Sequence, residues 1–367
     1  MNRYQYNRIV ITGNGFDLAL GFKTKYSDFL LDYFKKNLRT AINSPFRDNN
    51  FEMDTGYYPR ILGDLEEIKT LDDWAALLSN TNGKWKYTYK GMLSDIMSFY
   101  NAGNWVDIES LYFDTLVSLV DRMKASKSKT INYNHIKRLN ESFREITDNL
   151  DNYIKRINEL EINASNYVTF YNFLEVCVDI QMNHKTCLNH ELDYTELDKP
   201  ENVLFLNFNY TNSLQQLMGS SGVNPKYRII NIHGKAGNPT NPIIFGYGDD
   251  THPKYADLEQ ENSNIPLEFI KSFYYNRTTD YHKMLNFMES SRYEVYIVGH
   301  SCGLSDRTLL KSIFEHDNCI SIKIFHRGGM DEHINKNMAI SRHFDDKQLL
   351  RKRVLPFDEK AVIPQAK

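Results

Sequence analysis

A β-branched run, Ile9-Val10-Ile11-Thr12, stops abruptly at Gly13-Asn14-Gly15, and a helical apolar pattern (Leu18, Phe22, Tyr26, Phe29, Leu30, Tyr33) follows it. The spacing predicts a strand, a tight turn and a helix. After Lys199-Pro200 strand character returns in Val203-Leu204-Phe205-Leu206 and in Arg228-Ile229-Ile230-Asn231-Ile232. It comes back again at Ile243–Phe245, Glu294–Val298 and Ile320–Phe325, with helical stretches around Tyr281–Met288 and Arg307–Phe314. Strands alternating with helices imply an α/β fold with a mostly parallel, Rossmann-like sheet.

Between about residues 40 and 200 the alternation disappears. A polar loop from Asn43 to Pro59 leads into segments with helical spacing, one carrying Ile108, Leu111, Leu116, Leu119 and Met123. Another repeats Ile136, Leu139, Phe143, Ile146, Leu150, Tyr153, Ile157 and Leu160 in steps of three and four, an a/d seam with charged residues between. The expected organisation is a discontinuous sheet domain at 1–40 and 200–345, a large all-helical insertion at 41–199 after the first βα unit, and a C-terminal tail at 346–367. The seam predicts self-association through the insertion. The basic stretch Lys347–Arg353 reads as a solvated helix face or tail.

Composition excludes several classes. The 44 Lys+Arg against 47 Asp+Glu give a formal charge of −3 and a pI near 6.4, so nucleic acid or an anionic membrane is not expected as the main partner. Hydrophobic content of 41% with 25% charged residues is that of a globular protein. A mean hydropathy of −0.54 beside 24 Tyr and 21 Phe predicts a core built more from rings than from aliphatic side chains. No stretch approaches the roughly 20 apolar residues that span a bilayer, and Met1–Arg8 is too polar for a signal peptide, so a cytoplasmic location is expected. Cys177, Cys187, Cys302 and Cys319 form no CxxC pair and read as core thiols.

Three strand ends carry the candidate chemistry. Gly13-Asn14-Gly15-Phe16-Asp17 stands where α/β proteins bind phosphate, although the third glycine position of a GxGxxG fingerprint is Leu18 and no ribose-binding acid follows at the expected distance. An ordinary dehydrogenase is thereby disfavoured, and a plain strand-to-helix turn is the alternative. Asn207-Phe208-Asn209-Tyr210-Thr211 and Asn231-Ile232-His233-Gly234 end the next two strands, so an amide, a hydroxyl and an imidazole are expected to converge beside the glycine turn. His233, with an ordinary pKa of about 6.5, suits proton transfer at neutral pH, and Asn209 suits orientation of a water or ribose hydroxyl. A core histidine is the alternative reading of His233.

Gly299-His300-Ser301-Cys302-Gly303 matches GxSxG and raises a rival in which Ser301 is a hydrolase nucleophile. The same turn could instead admit ribose or phosphate, with Asp306 a helix-capping acid or a ligand. His184, Cys187 and His190 lie close together without a fourth ligand at suitable spacing, so no metal site is expected. Trp74, Trp105, Asp107 and Glu109 fall in the helical region, where core rings and solvated acids are the default.

The run Ile11-Thr12-Gly13-Asn14-Gly15-Phe16-Asp17-Leu18-Ala19, with Gly21 and Thr24-Lys25-Tyr26-Ser27-Asp28-Phe29, resembles the AbiH family of bacterial abortive-infection proteins. Further landmarks follow in family order: Trp105-Val106-Asp107-Ile108-Glu109, Asn207-Phe208-Asn209-Tyr210-Thr211, Ile232-His233-Gly234, and Gly299-His300-Ser301 with Asp306. The family looks like a branch of the sirtuin-like Rossmann-type superfamily. That resemblance implies an anti-phage protein and an NAD hydrolase activity that cleaves the nicotinamide–ribose bond. Asn209 and His233 would do the chemistry. Gly13, Asn14, Gly15, Phe16, Asp17, Thr211, Gly299, His300, Ser301 and Asp306 would bind the nucleotide. NAD is implied as substrate, with no tightly bound cofactor, and a phage-derived protein as trigger. The four-cysteine zinc ribbon of sirtuin deacylases is missing, which disfavours deacylation. The alternatives are a non-catalytic nucleotide-sensing module and the serine hydrolase.

Overall fold

The computed structural model describes residues 6–56, 65–81, 83–101, 107–125, 133–179, 199–219 and 226–367. The predicted first unit is present as β1 (Asn7–Thr12) and the short α1 (Asn14–Ala19), followed by α2 (Tyr26–Ala41). The chain then leaves the sheet through β2 (Phe46–Arg47), β3 (Phe51–Asp54), α3 (Leu71–Asn80), β4 (Lys86–Tyr89), α4 (Gly91–Asn101), α5 (Ile108–Ala125), α6 (Asn134–Ile157) and α7 (Ala164–Asp179). It returns with β5 (Val203–Asn207), α8 (Ser213–Met218), β6 (Tyr227–Asn231), α9 (Tyr255–Glu259), α10 (Asp280–Ser290) and β7 (Tyr293–Val298). It closes with α11 (Arg307–Phe314), β8 (Cys319–Ile324), α12 (Met330–Ser341) and α13 (Lys347–Arg353).

Five strands form one wholly parallel sheet in the order β6-β5-β1-β7-β8. Alternate residues of each strand enter two different cores, as the pleat requires. Ile9, Ile11, Leu204, Leu206, Val295 and Ile297 face the side covered by α10, α11 and α12. Val10, Val203, Phe205, Tyr296 and Val298 face α1, α7 and α8. Burial on both faces is why these strands read as unbroken apolar runs rather than alternating ones.

A third core belongs to the intervening segment. It is ring-rich, with Phe34 stacked on Trp74 at 5.1 Å and Phe143 on Phe245 at 5.1 Å. It also takes in Ile243, Phe245, Tyr247 and Ile270 from the β6–β7 connection, so the insertion is packed against the sheet half of the chain.

Three expectations need correction. The insertion is not all-helical: β2, β3 and β4 form an antiparallel sheet, and Phe51 and Tyr89 stack across it at 5.5 Å. Ile243–Phe245 is not a strand. Pro242 and Gly246 flank it, and among the described residues its backbone amides make one bond to another backbone group, Ile244 N–H to His233 O at 2.8 Å. The a/d seam of α6 is not a free surface, because Ile136, Leu139, Phe143, Ile146, Leu150, Tyr153 and Ile157 are all buried in the protein's own third core, while Leu160, the last predicted seam residue, lies beyond the helix and is exposed. The physical basis for self-association through it is spent internally.

Cys177, Cys302 and Cys319 are buried free thiols. Cys187, His184, His190 and Trp105 lie outside the described residues. Arg353 of the basic stretch is buried and donates to Phe314 O at 2.5 Å. Beyond it, Ala361 and Ile363 pack into the sheet core, and Ala366 N–H donates to Ala19 O at 2.7 Å. Among the described residues no helix is long and apolar enough to cross a membrane.

Candidate active site

Chain order runs from β1 outward through β5 and β6, then jumps to β7 and β8 on the other side of β1. The carboxyl ends of β1, β5 and β7 therefore meet at a topological switch point, where open α/β sheets bind ligands. A cleft of ≈ 450 Å³ opens there. Every predicted site residue except Phe16 lines it: Gly13, Asn14, Gly15, Asp17, Asn209, Thr211, His233, Gly299, His300, Ser301 and Asp306. Phe16 points the other way, fully buried and edge-on to Phe170 at 5.7 Å.

The glycines of the first turn serve packing as well as access. A Cβ on Gly13 would sit 2.6 Å from His300 Cα, and one on Gly15 would sit 2.6 Å from Gly299 O. Gly299 is itself at φ +71, and its Cβ would strike the Phe16 amide. The β1 and β7 turns abut with no room for side chains, and the Gly15 amide donates to Gly299 O at 2.7 Å. Asn14 does not fill the pocket. Its carboxamide donates to Thr24 O at 3.0 Å and accepts from the Thr24 hydroxyl at 2.5 Å.

Hydrogen bonds fix the strand ends to one another. Asn207 Oδ1 accepts from the Thr12 hydroxyl at 3.0 Å and from the Asn209 amide at 3.1 Å. Asn209 Nδ2 donates to Gly13 O at 3.1 Å, so its carboxamide is held with Oδ1 unengaged among the described residues. Asp17 is buried beneath the turn, where its oxygens accept from Thr211 at 2.7 Å and Ser213 at 2.6 Å. Burial pushes its carboxyl up to about 6 against those two hydroxyls. Its geometry is that of a clasp between α1 and the turn into α8.

The deep end of the cleft holds a buried ionic array. Lys271, only 1% exposed, places Nζ 2.7 Å from Asp306 Oδ1 and 2.9 Å from Glu109 Oε1. Asp306 also faces both imidazoles, with Oδ1 3.4 Å from His233 Nε2 and Oδ2 3.5 Å from His300 Nε2. Burial opposes ionisation of Asp306, but Lys271 and the two rings outweigh it and hold the carboxyl well below the usual range. Burial also works against the Lys271 charge, and Asp306 and Glu109 overcome it, so Lys271 stays a cation.

His233 is 3% exposed, and its ring packs against Phe208 at 4.8 Å and parallel to Tyr275 at 6.3 Å. Burial first, then Lys271, bring its pKa down to about 3. Its Nε2 faces Asp306 without completing a hydrogen bond, a buried polar atom with no partner in the described structure. His300 accepts the Cys302 amide on Nδ1 at 3.0 Å, which leaves its Nε2 toward Asp306. Cys302, at φ 56, carries the strain of this turn, and His343 secures it by donating to Cys302 O at 2.9 Å. Ser301 is exposed on the wall and hydrogen-bonds no histidine among the described residues, so the GxSxG reading lacks its base.

Sequence reasoning misplaced Glu109 and missed Lys271. Glu109 is a buried carboxylate, not a solvated one. Asp107 caps α5 by accepting from the Glu109 and Ser110 amides at 3.1 and 3.2 Å. Glu109 then falls on the buried stripe shared by Tyr112, Phe113, Leu116 and Val120. An acid at i before apolar residues at i+3, i+4, i+7 and i+11 was the available signal. Lys271 opens a 3-10 segment, Lys271–Arg277, with no periodicity to mark it. The wall from β8 and α12 adds Arg327 and Lys336, the latter donating to His300 O.

An all-parallel sheet with a polar cleft at its switch point defines a Rossmann-like α/β protein. Within that class the chain belongs to the AbiH family: the model described as Bacteriophage abortive infection AbiH matches residues 9–327, from within β1 to past the end of β8. Membership sets the protein in abortive infection of bacteriophage. Among curated proteins none matches the chain.

Proposed function

We propose that the protein binds a nucleotide in this cleft and, as a sirtuin-like abortive-infection hydrolase, cleaves the nicotinamide–ribose bond of NAD. The supporting observation is that Gly13, Asn209, His233 and Ser301, from four separate strand ends, line one cleft of ≈ 450 Å³, a volume within the usual range for small-ligand sites. In this reaction the C1′–N bond breaks with its electron pair going to nicotinamide, which leaves neutral from a cationic precursor and needs no acid. Positive charge develops at the ribosyl carbon in an oxocarbenium-like transition state. Glu109 and Asp306, with Lys271 between them, give the deep end one net negative charge when both are ionised, which favours that charge.

Asn209 Oδ1 orients the attacking water or a ribose hydroxyl. His233, unprotonated at neutral pH, accepts a hydrogen bond there. The glycine turn and Ser301 take ribose and pyrophosphate, and Arg327 with Lys336 favours phosphate charge at the other wall. The test is a nucleotide panel that includes NAD, incubated with wild type, His233→Ala and Asn209→Ala and read by mass spectrometry. Loss of NAD by wild type alone supports the reading. Binding without loss of any nucleotide replaces it with a non-catalytic sensor, and neither binding nor loss removes the nucleotide assignment.

A further inference from the structure

We propose that Glu109, delivered by insertion helix α5, is the general base of this site and that Lys271 is its positioning residue. The inference rests on the nucleotide-cleaving reading above. Four groups compete for the role, and their contacts together with their burial separate them. Asp306 is paired with Lys271 at 2.7 Å and faces two imidazoles at 3.4 and 3.5 Å, which together hold its carboxyl well below the usual range and make it a poor proton acceptor. His300 has Nδ1 taken by the Cys302 amide. His233 sits between aromatic rings and holds a proton too weakly to accept one at neutral pH.

Glu109 is anchored through one oxygen only. Its Oε1 lies 2.9 Å from Lys271 Nζ in an ion pair and accepts from the Gly246 amide at 3.0 Å. Its Oε2 takes no hydrogen bond among the described residues, and the side chain lines the cleft. The charged and titratable groups that face it are Asp107 on its own helix, Lys271, Asp306, Tyr26 from α2, Tyr210 after β5, and Tyr275. Burial raises its carboxyl most, Lys271 pulls it back, and Asp306 with Asp107 raises it again, to about 7. A base with that affinity is near half-ionised at neutral pH, where general-base catalysis is most effective.

In the step, the water oxygen forms the bond to C1′ as the C1′–N pair leaves with nicotinamide. The water's proton passes to Glu109 Oε2 and is then released to solvent. Because α5 belongs to the insertion, any displacement of that helix separates the base from the sheet residues that bind the substrate.

The experiment uses the full chain. Wild type should show a rate that rises with pH through an ascending limb near 7. Glu109→Gln should lower kcat by about 10²–10⁴-fold and flatten the limb, while ADP-ribose still raises its melting temperature as it does for wild type. Lys271→Met should move the limb to higher pH, since the lysine holds the carboxyl down, a change that a purely structural lysine would not cause. If Glu109→Gln does not fold, the direction of the Lys271→Met shift decides. Wild-type turnover with an unaltered rate and limb in Glu109→Gln, or an unmoved limb in Lys271→Met, overturns the assignment and leaves the nucleotide-cleaving reading standing. No turnover by wild type overturns both.

Discussion

His233 shows how one residue's surroundings reset its chemistry. Its identity and its place before Gly234 were legible, and an ordinary imidazole would titrate near neutrality. Phe208, Tyr275 and the Lys271 cation instead leave it unprotonated down to about 3. Folding is linked to this shift: as pH falls through 6.5 the unfolded chain takes up a proton that the folded chain refuses, so stability is present above 6.5 and declines toward 3. Between pH 7 and 5 this one group should remove about 2 kcal/mol of stability. His233→Asn should therefore lose that much less than wild type over the same interval, measured by denaturant unfolding at both pH values. Equal losses would mean that the imidazole is not held neutral by the fold. Glu109 is the converse case. The sequence placed an acid there, but only burial and the 2.9 Å contact with Lys271 make it a group of the cleft.

At the scale of elements, periodicity located α6 and named its seam residue by residue, yet it could not say what the seam packs against. An a/d stripe buried in a partner copy and one buried in the same chain carry the same residues at the same spacing. The structure resolves the choice through Phe143, which meets Tyr112 at 4.2 Å, Phe245 at 5.1 Å and Phe269 at 4.8 Å, all within one chain. Phe143→Ala should accordingly cost about 3–5 kcal/mol of stability and leave the molecular mass in solution unchanged. Light scattering with a urea melt would check this, and a change in mass with little loss of stability would contradict it. The small sheet of β2, β3 and β4 was missed for a related reason. Its strands are two to four residues long, too short for alternation to register, and are held by cross-strand partners such as Phe51 and Tyr89.

On the scale of the whole molecule, the cleft is a product of strand order. Saturating nucleotide should stabilise the folded protein, by about 2.7 kcal/mol at a hundredfold excess over Kd. Asn209→Ala should lose most of that gain, because the carboxamide is tied to Gly13 O at 3.1 Å and orders the ligand wall. Differential scanning calorimetry with and without ADP-ribose would measure both, and an equal gain in the variant would place the ligand elsewhere. By itself the sequence determined the local elements: strands as apolar runs, helices as 3.6-residue patterns, and glycines where a turn must close. It also determined which family the chain resembles, since those signals are encoded within a few residues of one another. Only the tertiary structure decided that β1 lies between β5 and β7, that α5 lays Glu109 against Lys271, and that two glycine turns nearly three hundred residues apart are in contact. Such contacts depend on the packing of distant surfaces and on charges taken out of water together, and no local pattern records either.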